Sequence, residues 1–221
     1  MGLARLLTVH GDYRDMITDH DRSYWFGASD TKNVMLDNHS TRTWQEFWEE
    51  KCGRLTRDID SMATATGTRF EHPILDAIDG DIAKDRQIIL EDLRLRVNYD
   101  GDKDGIIYEV KTHKADKPFL TKNALYQFIP KHIYGQVQVQ MYAWKTAHKN
   151  GLDIPEFKKM YVVEYPLYQE DYDGEPNVDF DRIIFHKVKY DKGFIKQYLK
   201  RLEPLKEMLI EEMKERTDEE T

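Results

Sequence analysis

Asp100-Gly101 and Glu109-Val110-Lys111 put two carboxylates and one ammonium within twelve residues. Glu109 and Lys111 stand two apart, so on a strand their side chains leave from one face. Asp100 stands at the end of the preceding strand, where closure of a hairpin carries its carboxylate back towards Glu109. Carboxylates brought that close repel unless a proton or a cation lies between them. Hard oxygen donors suit Mg²⁺ or Mn²⁺, cations that keep several waters and accept phosphate oxygens as further ligands. The Val110 carbonyl offers another donor. Lys111 would hold or deprotonate an attacking water, or neutralise a phosphate. Together these groups make a device for phosphodiester hydrolysis. The same residues also suit the solvated face of a hairpin with a weak cross-pair. Asp102 and Asp104 share the turn and are alternatives to Asp100 as the metal-binding acid.

The elements that must hold these groups show in the periodicity. Residues 93–99 alternate strictly between apolar and polar, residues 100–105 are a turn of Asp and Gly around Lys103, and residues 106–112 read as the next strand. The two strands pair as a hairpin. Upstream, residues 44–53 read as a helix with Trp44, Phe47 and Trp48 on one side, Thr43 as N-cap and Glu46 completing a capping box. Residues 67–79 read as a second helix lined by Phe70, Ile74 and Ile78, starting late or kinking at Pro73. Residues 132–149 read as a helix on the spacing of Ile133, Val137, Met141 and Trp144, despite the alternation Val137-Gln138-Val139-Gln140. Strands follow at 160–165 and 182–190. A long amphipathic helix spans about 192–216, with Phe194, Tyr198, Leu202, Leu205 and Leu209 on one face. This order predicts an α/β or α+β fold, a mixed central sheet flanked by helices. With no repeat and no linker, residues 1–221 read as a single domain.

Composition narrows the function classes. A chain of 221 residues and 26.3 kDa suffices for one substantial domain and not for two ordinary enzyme domains. A net charge of −8 argues against a small basic DNA-coating protein, though a mean charge says nothing about patches. Residues 203–221 hold eight acids and three bases, whereas residues 111–132 hold five lysines and one Asp. The basic stretch is either a solvated loop or a track for a phosphate backbone. A single cysteine, Cys52, excludes a disulfide framework, a zinc ribbon and a four-cysteine iron–sulfur site. No histidine motif accompanies Cys52, which reads as packed rather than nucleophilic. No apolar run approaches the roughly 20 residues of a membrane span, and the N-terminus lacks a signal-peptide core. The expected location is the cytoplasm. Hydrophobic residues at 40%, with 12% aromatic, supply a core.

Four segments in order resemble the phage lambda exonuclease family, also called YqaJ-like viral recombinases, within the PD-(D/E)xK nuclease superfamily. Arg22 followed by Gly27-Ala28-Ser29-Asp30 resembles the family's N-terminal pattern of an Arg several residues before G-[AG]-S-[DE]. Gly67-Thr68-Arg69-Phe70-Glu71 resembles its G-x-x-x-E helix. Asp100-Gly101 with Glu109-Val110-Lys111 matches the core motif, with Tyr99 where the family usually has Pro. Tyr134-Gly135-Gln136-Val137-Gln138 resembles its Y-x-Q-x-Q helix. The matched segments span about residues 22–141; the C-terminal third rests on periodicity alone.

The resemblance implies a PD-(D/E)xK nuclease-like fold and a Mg²⁺-dependent (or Mn²⁺-dependent) deoxyribonuclease. It implies metal held by Glu71, Asp100, Glu109 and the Val110 carbonyl, water positioned or activated by Lys111, and water or phosphate oriented by Gln136. Arg22 and Ser29 would grip a terminal 5′-phosphate. It also implies 5′-to-3′ digestion of linear double-stranded DNA from its ends, 3′ overhangs passed to a single-strand annealing protein, and a homo-oligomer such as the ring-shaped trimer of related enzymes. A phage-encoded protein of this kind would act in the cytoplasm of a bacterial host. Other readings stay open: a PD-(D/E)xK endonuclease, a single-strand exonuclease, or a DNA-binding protein with a silent site. Arg22 and Ser29 also suit a surface Arg and a helix cap for a helix through Val34 and Met35. On a helix, Gln136, Gln138 and Gln140 cannot all face one site; Gln140, one turn on, shares the face of Gln136. Tyr134 and Trp144 read as core, and His113 and His132 as lone surface or core histidines.

Overall fold

The computed structural model describes residues 23–55 and 62–219. At its centre lies a five-stranded sheet whose spatial order equals chain order: β1 (Ala83–Leu90), β2 (Leu95–Lys103), β3 (Ile106–Lys114), β4 (Lys159–Leu167) and β5 (Ile184–Val188). Only β3 and β4 are parallel, so the sheet is mixed. Parallel neighbours cannot be joined by a tight turn. The crossover here is a helix, α4 (Lys131–Lys149), and it makes the fold α+β as expected.

Helices cover both faces. On one, α3 (Met62–Ile78) lays Phe70, Ile74 and Leu75 on Tyr108, Val110, Val163 and Tyr165. On the other, α4 packs with α1 (Thr31–Val34), α2 (Arg42–Lys51) and α5 (Lys192–Glu219) in a larger cluster around Val97, Ile107, Val137, Trp144 and Tyr198. The central β3 is buried from Ile107 through Val110, the continuous pattern of a strand covered on both sides. A crossover helix so enclosed is buried over most of its middle, which accommodates the Val137-Gln138-Val139-Gln140 alternation: all four are buried, and the glutamines are hydrogen-bonded.

Several boundaries differ from the expectations. β1 was not foreseen, because Lys84-Asp85-Arg86-Gln87 shows no alternation; it forms as the antiparallel partner of β2, from Ala83 opposite Asp102 to Leu90 opposite Leu95. The hairpin turn is shorter than 100–105. β2 runs on to Lys103, and Asp104 (φ 51°) and Gly105 (φ 83°) close the turn, both left-handed as the twist of a two-residue hairpin requires. α2 is capped by Thr41, whose hydroxyl accepts from the Trp44 N–H at 3.3 Å, and not by Thr43; Glu46 pairs with Arg42 at 2.7 Å. α3 begins at Met62, well before 67, and passes through Pro73, the lost N–H tolerated because Phe70, Ile74 and Leu75 anchor the helix on both sides of it. The strand at 182–190 contracts to β5, preceded by a 3₁₀ turn at Phe180–Arg182. Ser29 and Asp30 sit in a 3₁₀ turn, Ala28–Asp30, and do not cap α1 through a side chain. Asp30 accepts from the Gly27 N–H at 2.7 Å and pairs with the buried Lys51 at 2.7 Å.

Candidate active site

The site opens where β2 and β3 part. Their register holds for Lys103–Ile106, Asp102–Ile107 and Gly101–Tyr108. At the next position Asp100 Oδ2 accepts the Val110 N–H at 2.6 Å, a side chain standing in for the ladder. Glu109, only 1% exposed, faces α4. Its Oε1 accepts from Lys111 Nζ at 2.5 Å and from Gln136 Nε2, and its Oε2 from Gln140 Nε2 at 2.6 Å. Gln140 Nε2 also donates to the Asn98 carbonyl at 2.9 Å, so one amide bridges the parted strands. Its Oε1 is buried with no partner among the described residues.

Glu71 enters from α3. A Cβ on Gly67 would stand 3.0 Å from Thr112 Oγ1, so the helix lies close on β3 there, and Glu71 follows one turn later. Burial raises the Glu71 carboxyl above its usual range; Lys111 opposes this, and Glu109 and Asp85 add to it. Asp100 is raised further, by burial first and then by Glu109 and Glu71, again against Lys111. Burial pushes Lys111 down, but Glu109, Asp100 and Glu71 outweigh it and hold the ammonium above its ordinary value. Glu71, Asp100, Glu109 and Lys111 therefore share one electrostatic neighbourhood. The alternatives in the turn lie elsewhere: Asp102 is 3.6 Å from Arg86 Nε, and Asp104 is exposed.

Among the described residues, no three His, Cys, Asp or Glu side chains form a ready metal cage. Lys111 rests against Glu109 in the place of a cation. The donor chemistry nonetheless fits a hard divalent ion: three carboxylates with repulsion to relieve, and an orphaned amide oxygen on Gln140.

Gln140 is the site residue that motif reading passed over, although its i+4 spacing from Gln136 marked the shared face. Gln138 points away, donating to the Lys189 carbonyl and accepting the Asp191 N–H, both at 2.8 Å. Ser29 is exposed on its 3₁₀ turn, which packs on α4. Arg22 lies outside the described residues. His113 is not a lone histidine: with His186 it shares Glu164, at 2.8 and 2.6 Å. Tyr134 and Trp144 are buried in the core as expected. Cys52 is fully buried, and burial pushes its thiol up to about 11.

No protein-family model matches the chain, and no curated protein sequence does either. Solved structures do match. An alkaline exonuclease from Laribacter hongkongensis superposes with a TM-score of 0.56 at 16% identity, over 89% of this chain and 95% of that one; its complex with dAMP gives the same values. A phage-related exonuclease from Haemophilus somnus gives 0.56 at 17% identity, over 86% and 96%. The resemblance carried by the four segments is thus met at the level of architecture, and this chain has the fold of the alkaline and phage-related, lambda-exonuclease-like exonucleases.

Proposed function

We propose that this protein is a metal-dependent DNA exonuclease acting on the ends of linear double-stranded DNA. The observation that supports this best is the buried Glu109 carboxylate paired with Lys111, beside Asp100 on the Val110 N–H, with Glu71 on α3 close enough to feel the charge of Lys111 and Glu109. Glu71, Asp100, Glu109 and the Val110 carbonyl would hold Mg²⁺ or Mn²⁺, a cation that supplies Lewis acidity to a phosphodiester and charge to its leaving oxygen. Gln136 and Gln140 fix the Glu109 carboxylate, so both its oxygens keep their direction. Lys111 positions or activates the attacking water and balances charge on the phosphoryl oxygens. Water adds its oxygen to phosphorus, the P–O bond to the sugar breaks, and the sugar oxygen leaves protonated. A deoxynucleoside monophosphate is the product, the class of molecule bound in the Laribacter exonuclease complex.

The finer reading is 5′-to-3′ polarity, with Arg22 and Ser29 on the terminal phosphate. The 3′ overhangs would pass to a single-strand annealing protein, and a homo-oligomeric ring would hold the enzyme on its substrate in the bacterial cytoplasm. The test is digestion of linear duplex DNA with Mg²⁺, wild type against Lys111→Ala, beside closed circular DNA. Loss of at least about 100-fold in the variant, with circular DNA intact, is expected. Wild-type activity in Lys111→Ala sinks the assignment, and cleavage of circles moves it to an endonuclease.

A further inference from the structure

The loop between β3 and α4, residues 115–130, joins one strand of the site to the helix that carries Gln136 and Gln140. Its roots lie at the chemistry. Lys114 follows Lys111 by three residues, and the His132 imidazole, held low first by burial, also feels the charge of Lys111. The loop is pinned from within by Phe119, tilted against His113 and stacked on His186 with ring centres 5.4 and 5.5 Å away. Outward it shows a different face. Leu125 is 70% exposed, Phe128 52% and Leu120 48%. Close to them along the chain stand Lys114, Lys117, Lys122 and Lys131, all exposed and none in an ion pair among the described residues.

The exposure of Phe128 is built, not loose. Its carbonyl accepts from the Thr121 N–H at 2.6 Å and its N–H donates to the Asn123 carbonyl at 3.1 Å. Gln127, next to it, exchanges two hydrogen bonds with the Lys189 backbone, at 2.9 and 2.8 Å. Both residues are left-handed, at φ 52° and 67°. For a bulky side chain that backbone is costly, and Gly or Asn would sit there with less strain. A fold that pins a phenylalanine in a strained turn and turns its ring to water spends stability on presenting the ring.

Resting on the nuclease reading, we infer that Phe128 and Leu125 form an apolar contact for the terminal bases of duplex DNA, with the surrounding lysines on its phosphates. Aromatic rings take any base by stacking, and lysines take the backbone without regard to sequence, the pairing expected where an end must be held irrespective of its sequence. Residues 114–131, the loop with its two flanking positions, hold four lysines to one acid, Asp116, so their charge complements nucleic acid.

The test uses the full chain in EDTA, so that binding is read without cleavage. The probe is a 5′-phosphorylated duplex carrying 2-aminopurine at its terminal pair, with an internally labelled duplex as control. Wild type should change the terminal signal and leave the internal one still. Phe128→Gly should bind about 5- to 100-fold more weakly, lose the terminal change and melt at or above the wild-type temperature. Phe128→Trp should keep the terminal change. Unaltered affinity and signal in Phe128→Gly overturn the inference and leave the ring to a protein partner. Loss of binding together with a lower melting temperature, not restored in Phe128→Trp, overturns it in favour of a structural role. Digestion with Mg²⁺ separates the two readings: wild type that grips ends without cutting refutes the nuclease and keeps the contact, whereas a Phe128→Gly protein that binds and cuts at wild-type level does the reverse.

Discussion

The Glu109 carboxylate is nearly sealed from water and held by Lys111, Gln136 and Gln140. A hydrogen bond to a charged group contributes about 1.5–3 kcal/mol net, and a buried carboxylate stripped of a donor costs at least that. Gln140→Leu should therefore destabilise the metal-free protein by about 2 kcal/mol in urea unfolding and lower nuclease activity with it. A variant as stable and active as wild type would show that Gln140 is incidental. The raised carboxyls set a pH signature. Asp100 and Glu71 bind protons more tightly folded than unfolded, so they favour the folded state at low pH, and that contribution is lost as pH rises from their ordinary range through the folded one. In EDTA, Asp100→Asn should flatten the fall in melting temperature between about pH 4 and pH 7. An unchanged slope would mean that Asp100 ionises normally. Of this cluster, Asp100, Glu109 and Lys111 were legible because the spacing of two on a strand and an Asp-Gly turn have direct geometric meaning. The bond from Asp100 to the Val110 N–H was not, because no pattern of residue types tells where a ladder opens.

At the level of elements, two close approaches set the site. Gly135 lies against α1, where an added Cβ would stand 2.8 Å from Thr31 Cγ2, and the next residue is Gln136. Gly135→Ala must push α4 from α1; a loss of about 1–3 kcal/mol in stability, with activity reduced, is expected from unfolding and nuclease assays. Gly105 is tighter still: a Cβ there would reach 2.1 Å from the Glu156 carbonyl oxygen, at φ 83°. Gly105→Ala should cost more than Gly135→Ala, and the opposite ranking would contradict the hairpin geometry. Helices with clear apolar periods, α4 and α5, were legible almost to their ends. β1 was not, since a strand whose first half is Lys84, Asp85, Arg86 and Gln87 shows no alternation there and forms by pairing along the edge of β2. Thr41 displaced Thr43 as the cap of α2: both are good caps by type, and residue type alone does not choose between them.

For the whole molecule, charge and its placement part company. The chain carries −8, yet residues 111–132 are basic and frame the site, and the acidic excess of residues 203–219 belongs to the C-terminal helix. DNA binding should thus be steeply salt-dependent despite the net charge, and Lys122→Ala should lower the slope of log affinity against log salt by about one. A slope untouched by Lys122→Ala, with unchanged affinity, would take that lysine off the DNA path. Sequence alone determined the kinds of groups available, the strand-borne Glu109 and Lys111 on one face, the helices with strong periods and the mixed sheet between them, because each depends on residue type and on spacings shorter than one element. Only the tertiary structure decided that Glu71 on α3 feels the charge of Lys111 and Glu109, that Gln140 joins Gln136 on Glu109, that His113 and His186 share Glu164, and that Phe128 is turned to water. The first three relations link residues dozens of positions apart: packing of α3 and α4 on opposite faces of one sheet brings the first two within reach, and the pairing of β3, β4 and β5 the third.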